Sequence, residues 1–184
     1  MPNRGTAALV VLLEAAGYAV HVTDVRRGAP LPPDDDAPWL LGGGPGSPAD
    51  AGPWREPLLA ALRARLAGDR PTLGICFGFE MLAAAAGAEL RLLASPREGV
   101  VPVVCIGVDP LLTGLDAPAS WEKRSWGVWG SPGRVIAAGP EGDQAGVRYS
   151  TRVVGVIFHP EADLGPATRA VYDAVVPRYL ASLR

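Results

Sequence analysis

The stretch that most constrains this chain is Gly74-Ile75-Cys76-Phe77-Gly78. Pro71-Thr72-Leu73 opens an apolar run of strand length ahead of it. Phe79 to Ala86 behind it is strongly helix-forming, and Gly87 is a stop signal. A strand that passes straight into a helix through G-x-C-x-G has the pattern of a nucleophile elbow. The turn tolerates little side-chain bulk on either side, so glycines flank it. The central residue is left at the sheet's carboxyl end, over a helix N-terminus whose N–H groups and dipole favour a thiolate and the oxyanion it generates. Read alone, Cys76 also fits a small buried hydrophobe, the usual fate of a free cysteine.

The rest of the chain supplies an α/β frame for such a turn. At 184 residues, with 48% hydrophobic and 20% charged residues, it has the size and composition of one globular domain. A net charge of -2 gives no argument for nucleic acid or an anionic membrane surface, and no apolar run is long enough to span a bilayer. Two cysteines do not make a disulfide framework, so a reducing cytoplasm is the expected setting. The periodicity predicts a helix from Thr6 to Ala16, a strand from Tyr18 to Val25, a loop from Arg26 to Pro38 and a short strand at Trp39-Leu40-Leu41. An amphipathic helix follows from Trp54 to Leu66, with Trp54, Leu58, Leu62 and Leu66 facing the core and Arg55, Glu56, Arg63 and Arg65 on the surface.

Val100 to Val108 reads as a β-rich run that makes Cys105 a core thiol. Short strands are expected at Arg134–Ala138, Ala145–Tyr149 and Val153–Phe158. A last helix from Pro166 to Leu183 is expected to kink or break near Val176, ahead of Pro177. His21 reads as structural or solvent-facing rather than catalytic, and the run Asp34-Asp35-Asp36 as a solvated tip. Alternating strands and helices point to a mostly parallel sheet with its sites at the strands' carboxyl ends.

Two more stretches bear on Cys76. Leu41-Gly42-Gly43-Gly44-Pro45-Gly46-Ser47-Pro48 is a glycine loop directly after a strand, and it lacks G-x-G-x-x-G or a Walker lysine. Val156-Ile157-Phe158-His159-Pro160-Glu161 places a histidine at a strand end with a carboxylate two residues on. A thiol attacking a carboxamide needs a base, donors for the oxyanion and an acid for the leaving nitrogen. His159 supplies base and acid, and Glu161 fixes its tautomer.

Taken with the elbow, these motifs resemble the three signatures of the class I glutamine amidotransferases, in the family's order and across essentially the whole chain. The resemblance implies a three-layer, flavodoxin-like α/β fold and a Cys76-His159-Glu161 triad that takes ammonia from glutamine through a thioester. It implies an oxyanion hole from the N–H groups of Gly44 and Phe77, and substrate contacts at Glu80, Ser125, Trp126, Gly127 and Val128. No cofactor or metal is implied. Glutamine or another γ-glutamyl amide is the implied substrate, and any ammonia used would pass to a separate synthetase subunit.

Two departures are visible. Glu80 and Trp126 stand where the family has Gln and His. They favour a γ-glutamyl peptidase or hydrolase, or a non-enzymatic member, as alternatives. Trp121, Trp126 and Trp129 either pack a β-rich surface or reshape the pocket. The family also opens with a strand that the polar Met1-Pro2-Asn3-Arg4 cannot form. The expectation is an interior gap in the sheet unless an upstream segment fills it.

Overall fold

The computed structural model describes residues 4–184, so Met1, Pro2 and Asn3 lie outside the described residues. Helix α1 is Arg4–Ala15, strand β1 Trp39–Leu41, helix α2 Arg55–Ala67, strand β2 Thr72–Ile75 and helix α3 Phe77–Ala85. Strands β3 Glu89–Pro102, β4 Val104–Cys105, β5 Ala119–Trp129, β6 Arg134–Ala138, β7 Gln144–Arg148 and β8 Val153–Val156 follow, then helix α4 Pro166–Ala181.

The main sheet has the order β1-β2-β8-β7-β6-β4, and β3 and β5 form a separate antiparallel ribbon. The architecture is the expected three-layer α/β fold. Leu73 and Ile75 of β2 and Val154 and Val156 of β8 join Leu9 and Leu13 of α1 and Val171, Val175 and Tyr179 of α4 in one buried cluster. The opposite sheet face carries Gly74 and Gly155. A Cβ on Gly155 would overlap the Phe79 ring, so that glycine lets α3 lie close on the sheet. Leu58 and Leu62 of α2 close this layer against Met81 and Leu82 of α3.

Several expectations are corrected. The sheet is mixed rather than mostly parallel: β1, β2 and β8 run parallel, whereas β8-β7, β7-β6 and β6-β4 are antiparallel. Residues 18–24 form no strand, and Val25–Arg27 is a 3-10 turn. Tyr18 and Val20 do pack on the core and His21 is exposed, but Val22 is exposed as well, so the alternation holds only as far as His21. A strand exists only through the ladder it makes. Among the described residues nothing pairs with the outer edge of β1, so this segment has no ladder to join.

Cys105 is exposed rather than in the core, because β4 is a two-residue edge strand whose neighbours Val104 and Ile106 are exposed too. Arg65 is fully buried rather than on the surface. It donates to Thr72 Oγ1 (3.0 Å), Pro71 O (2.8 Å), Ala37 O (2.8 Å) and Asp35 O (3.1 Å), and its guanidinium lies 4.3 Å from the centre of the Trp39 ring. Helix α4 runs unbroken through Pro177, because Val171, Val175, Val176, Tyr179 and Leu180 on both sides of it are buried in one core.

Candidate active site

Strand β2 ends at Ile75 and α3 begins at Phe77, leaving Cys76 alone at the bend with φ 52° and ψ -114°. A positive φ on a non-glycine residue is strained and is held by its surroundings. Here Cys76 N–H donates to Val156 O at 2.9 Å, and Cys76 O accepts from Glu80 N–H at 3.0 Å. Both flanking glycines are sterically required. A Cβ on Gly74 would sit 2.8 Å from Gly78 O and 2.9 Å from Phe79 N, and one on Gly78 would overlap the Leu41 carbonyl. The elbow read from the sequence is therefore present in full.

His159 reaches Cys76 from beyond β8. Its backbone is fixed by β5, with His159 N–H donating to Trp121 O at 2.8 Å and Ser120 Oγ donating to His159 O at 2.9 Å. Its Nδ1 meets Glu161 Oε1 at 2.7 Å, and the Glu161 side chain is 1% exposed. Burial opposes charge on the imidazole, but hydrogen bonds and negative charge from Cys76 and Glu161 outweigh it and push His159 up to about 10. The structure thus brings the three predicted residues together: thiol beside imidazole, imidazole beside carboxylate.

The glycine loop closes over this pair. A Cβ on Gly43 would fall 2.6 Å from His159 Cε1 and 3.2 Å from Cys76 Cβ, so only glycine permits this approach. Sequence reasoning does not single out Gly43, although it lies inside the glycine run beside Gly44. Phe77, next to the nucleophile, is buried and opens α3.

The fourth wall is β5. Cys76 Sγ lies 3.8 Å from Lys123 O. The next residue, Arg124, is buried and bonds Glu122 (3.0 Å) and Asp143 (2.6 Å). Arg124 and Glu122 stand two apart on the buried face of one strand, a period-2 signal that the sequence carries but that has no meaning until the facing Asp143 is known. Glu80, one helical turn past Cys76, is 3% exposed. Burial raises its carboxyl to about 7, against an opposing pull from Arg124. Ser125 is exposed, while Val128 is fully buried in the core rather than open to a ligand. Gly127 is needed for packing, since a Cβ there would lie 2.6 Å from the Trp129 ring. Trp126 lines a cleft of about 460 Å³ with Pro48, Arg55, Arg63 and Leu90, and neither Cys76 nor His159 is part of its lining. Of the three tryptophans, Trp129 carries the Arg91 guanidinium at 5.4 Å and Trp121 holds the His159 backbone.

The model of the glutamine amidotransferase class-I family matches residues 6–176. The chain belongs to that family. Its relatives include a subunit of the glutamine-hydrolyzing GMP synthase of Ignicoccus hospitalis, 34% identical over 140 residues that make up 71% of each chain. The glutamine-hydrolyzing GMP synthase of Aeropyrum pernix is 33% identical over 137 residues, 73% of this chain but 26% of that one. The carbamoyl phosphate synthase small chain of Maricaulis maris is 27% identical over 74% of this chain and 35% of its own length. The chain thus spans only a quarter to a third of the last two. The fold is that of solved family members. A glutamine amidotransferase from Methylobacillus flagellatus superposes with a TM-score of 0.77 at 22% identity, covering 96% of this chain and 84% of that one. Another from Thermotoga maritima gives 0.74 at 16%, covering 95% and 89%. No helix among the described residues is long and apolar enough to cross a membrane.

Proposed function

We propose that this family member hydrolyses the side-chain amide of glutamine, using Cys76 as nucleophile, His159 as proton carrier and Glu161 as its orienter. The observation that carries this reading is the strained Cys76 elbow with His159 against it and Glu161 bonded behind at 2.7 Å. The Cys76 thiolate attacks the amide carbon, and the oxyanion is received by the N–H groups of Gly44 and Phe77. The His159 imidazolium protonates the leaving nitrogen, the C–N bond breaks, and a γ-glutamyl thioester remains. Water, deprotonated by His159, cleaves the thioester to glutamate and restores the thiol. The segment Ser125-Trp126-Gly127-Val128 and Glu80 border the amino-acid end of the substrate, and ionised Glu80 weakens the hold on its α-carboxylate.

Relatives are named for two different synthases, a GMP synthase and a carbamoyl phosphate synthase. Where the ammonia is used rather than released, its acceptor is a synthetase subunit in trans, in the cytoplasm.

A second reading, hydrolysis of a γ-glutamyl amide with a larger amine, rests on Glu80 and Trp126 standing where the family has Gln and His. The test is incubation with glutamine and a panel of γ-glutamyl amides, following glutamate and the released ammonia or amine. The first reading expects ammonia from glutamine that disappears in His159→Ala and falls less in Glu161→Gln. Turnover of substituted amides alone selects the second. Wild-type rates in His159→Ala would refute both mechanisms.

A further inference from the structure

The run Gly42-Gly43-Gly44 is the softest backbone near the reacting atoms, since glycine has access to conformations closed to other residues. A loop that must present an N–H group to an oxyanion therefore needs a restraint from outside itself. Such a restraint is present, and it comes from the 3-10 turn Val25–Arg27, in a stretch that the sequence gives no role. Arg26 Nη1 donates to Pro45 O, the carbonyl one residue past Gly44. Arg26 Nη2 donates to Asp50 Oδ2 at 3.1 Å, and the same oxygen accepts Ser47 N–H at 3.1 Å, closing the turn beyond the loop. The fit is tight, because a Cβ on Gly46 would overlap the guanidinium.

The same guanidinium also lies over the ring of the nucleophile's neighbour. Its Cζ stands 5.5 Å from the centre of the Phe77 ring and 5.5 Å from that of Trp54, at the start of α2. The two rings lie 5.8 Å apart, tilted by 60°. One planar cation thus holds the carbonyl next to Gly44 and the side chain of Phe77 at once. These are the two residues whose N–H groups form the oxyanion hole in the proposed mechanism. A planar fork that bonds along its edge while stacking on its face is a property of arginine and not of lysine.

We infer that Arg26 is a positioning residue for the oxyanion hole, setting the separation of its two N–H donors by clamping the glycine loop to Phe77. The inference rests on the hydrolase reading. Arg26 and Asp50 are 34% and 38% exposed, so their ion pair adds little to global stability. Loss of the clamp should therefore separate catalysis from folding.

The experiment compares wild type, Arg26→Ala and Arg26→Lys in three measurements: steady-state glutamine hydrolysis, the rate of Cys76 alkylation by iodoacetamide, and the thermal midpoint. Alkylation displaces iodide and builds no oxyanion, so it reports the thiol alone. Arg26→Ala is expected to lower kcat by about tenfold to a hundredfold, the scale of a misplaced oxyanion donor. KM and the alkylation rate are expected to stay within about threefold, the mark of an interaction made only in the transition state. The thermal midpoint should hardly move. Arg26→Lys keeps a charge and a donor but not the stacked fork, and should recover only part of kcat. A kcat unchanged in Arg26→Ala overturns the inference, and so does a parallel loss of kcat and alkylation. A wild type that alkylates at Cys76 yet releases neither ammonia nor amine from any γ-glutamyl amide refutes the hydrolase reading and this inference with it. Hydrolysis in the wild type with no split in Arg26→Ala refutes the inference alone.

Discussion

Replacing Glu80 by Gln tests the electrostatics of the site in two independent ways. Glu80 is 3% exposed, and burial lifts its carboxyl from 4.5 to about 7 against the pull of Arg124. Each tenfold change in proton affinity is worth about 1.4 kcal/mol, so keeping this carboxyl ionised in the folded protein costs about 3 kcal/mol. The sign follows from linkage. The folded state holds the proton more tightly than the unfolded one, so the contribution to stability is complete below pH 4.5 and is lost as pH rises through about 7. Glutamine has nearly the same shape and no charge.

Glu80→Gln is therefore expected to match wild type within about 1 kcal/mol at pH 5 and to exceed it by about 3 kcal/mol at pH 8, or roughly 6–12 °C in Tm for a chain of this size. Urea unfolding at the two pH values measures it. An equal difference at pH 5 and pH 8 would show that Glu80 does not titrate in this window. The second readout is activity. Above pH 7 the ionised Glu80 repels the substrate's α-carboxylate, at a cost on the order of 1–3 kcal/mol. Glu80→Gln should thus raise kcat/KM for glutamine by roughly tenfold or more at pH 8. A lower kcat/KM would mean that the carboxylate grips the substrate ammonium.

Three further outcomes are expected. A glutamine-like electrophile should label Cys76 and spare Cys105, whose exposed thiol is raised by partial burial on an edge strand, as peptide mass mapping will show; an adduct on Cys105 alone is the contrary result. Gly43→Ala places a methyl 2.6 Å from His159 Cε1 and should cost about a hundredfold in kcat with a nearly unchanged Tm; full activity would mean that the loop is free to move away. Arg65→Met removes a buried donor that serves Thr72, Pro71, Ala37 and Asp35, and should lower stability by about 3 kcal/mol or more in urea unfolding; a loss below about 1 kcal/mol would show that these groups find other partners.

The sequence by itself determined the local chemistry. The elbow is legible because Gly74 is demanded by atoms only a few residues away, Gly78 O and Phe79 N, whereas Gly78 is demanded by Leu41 of the neighbouring strand and is legible only as part of the motif. The helix after it follows from composition. His159 and Glu161 are legible because two residues on one turn fix their own distance, which the structure gives as 2.7 Å.

What sequence could not decide are the properties that belong to neighbours. The stretch 18–24 has the alternation of a strand and is not one, because no strand lies alongside to bond it. Cys105 reads as apolar core and is exposed, because only the strand order places β4 at an edge. Arg65 sits on an ordinary amphipathic helix and is fully buried, because its partners come from residues 35, 37, 71 and 72 together. Arg26 is the clearest instance. Nothing in Val25-Arg26-Arg27 distinguishes one arginine from the next, and only the folded chain sets one of them between Trp54, Phe77 and Pro45. The physical reason is one of range. Turn sterics and side-chain spacing act over a few residues, whereas burial, pairing and charge neutralisation depend on which distant segments the fold brings into contact.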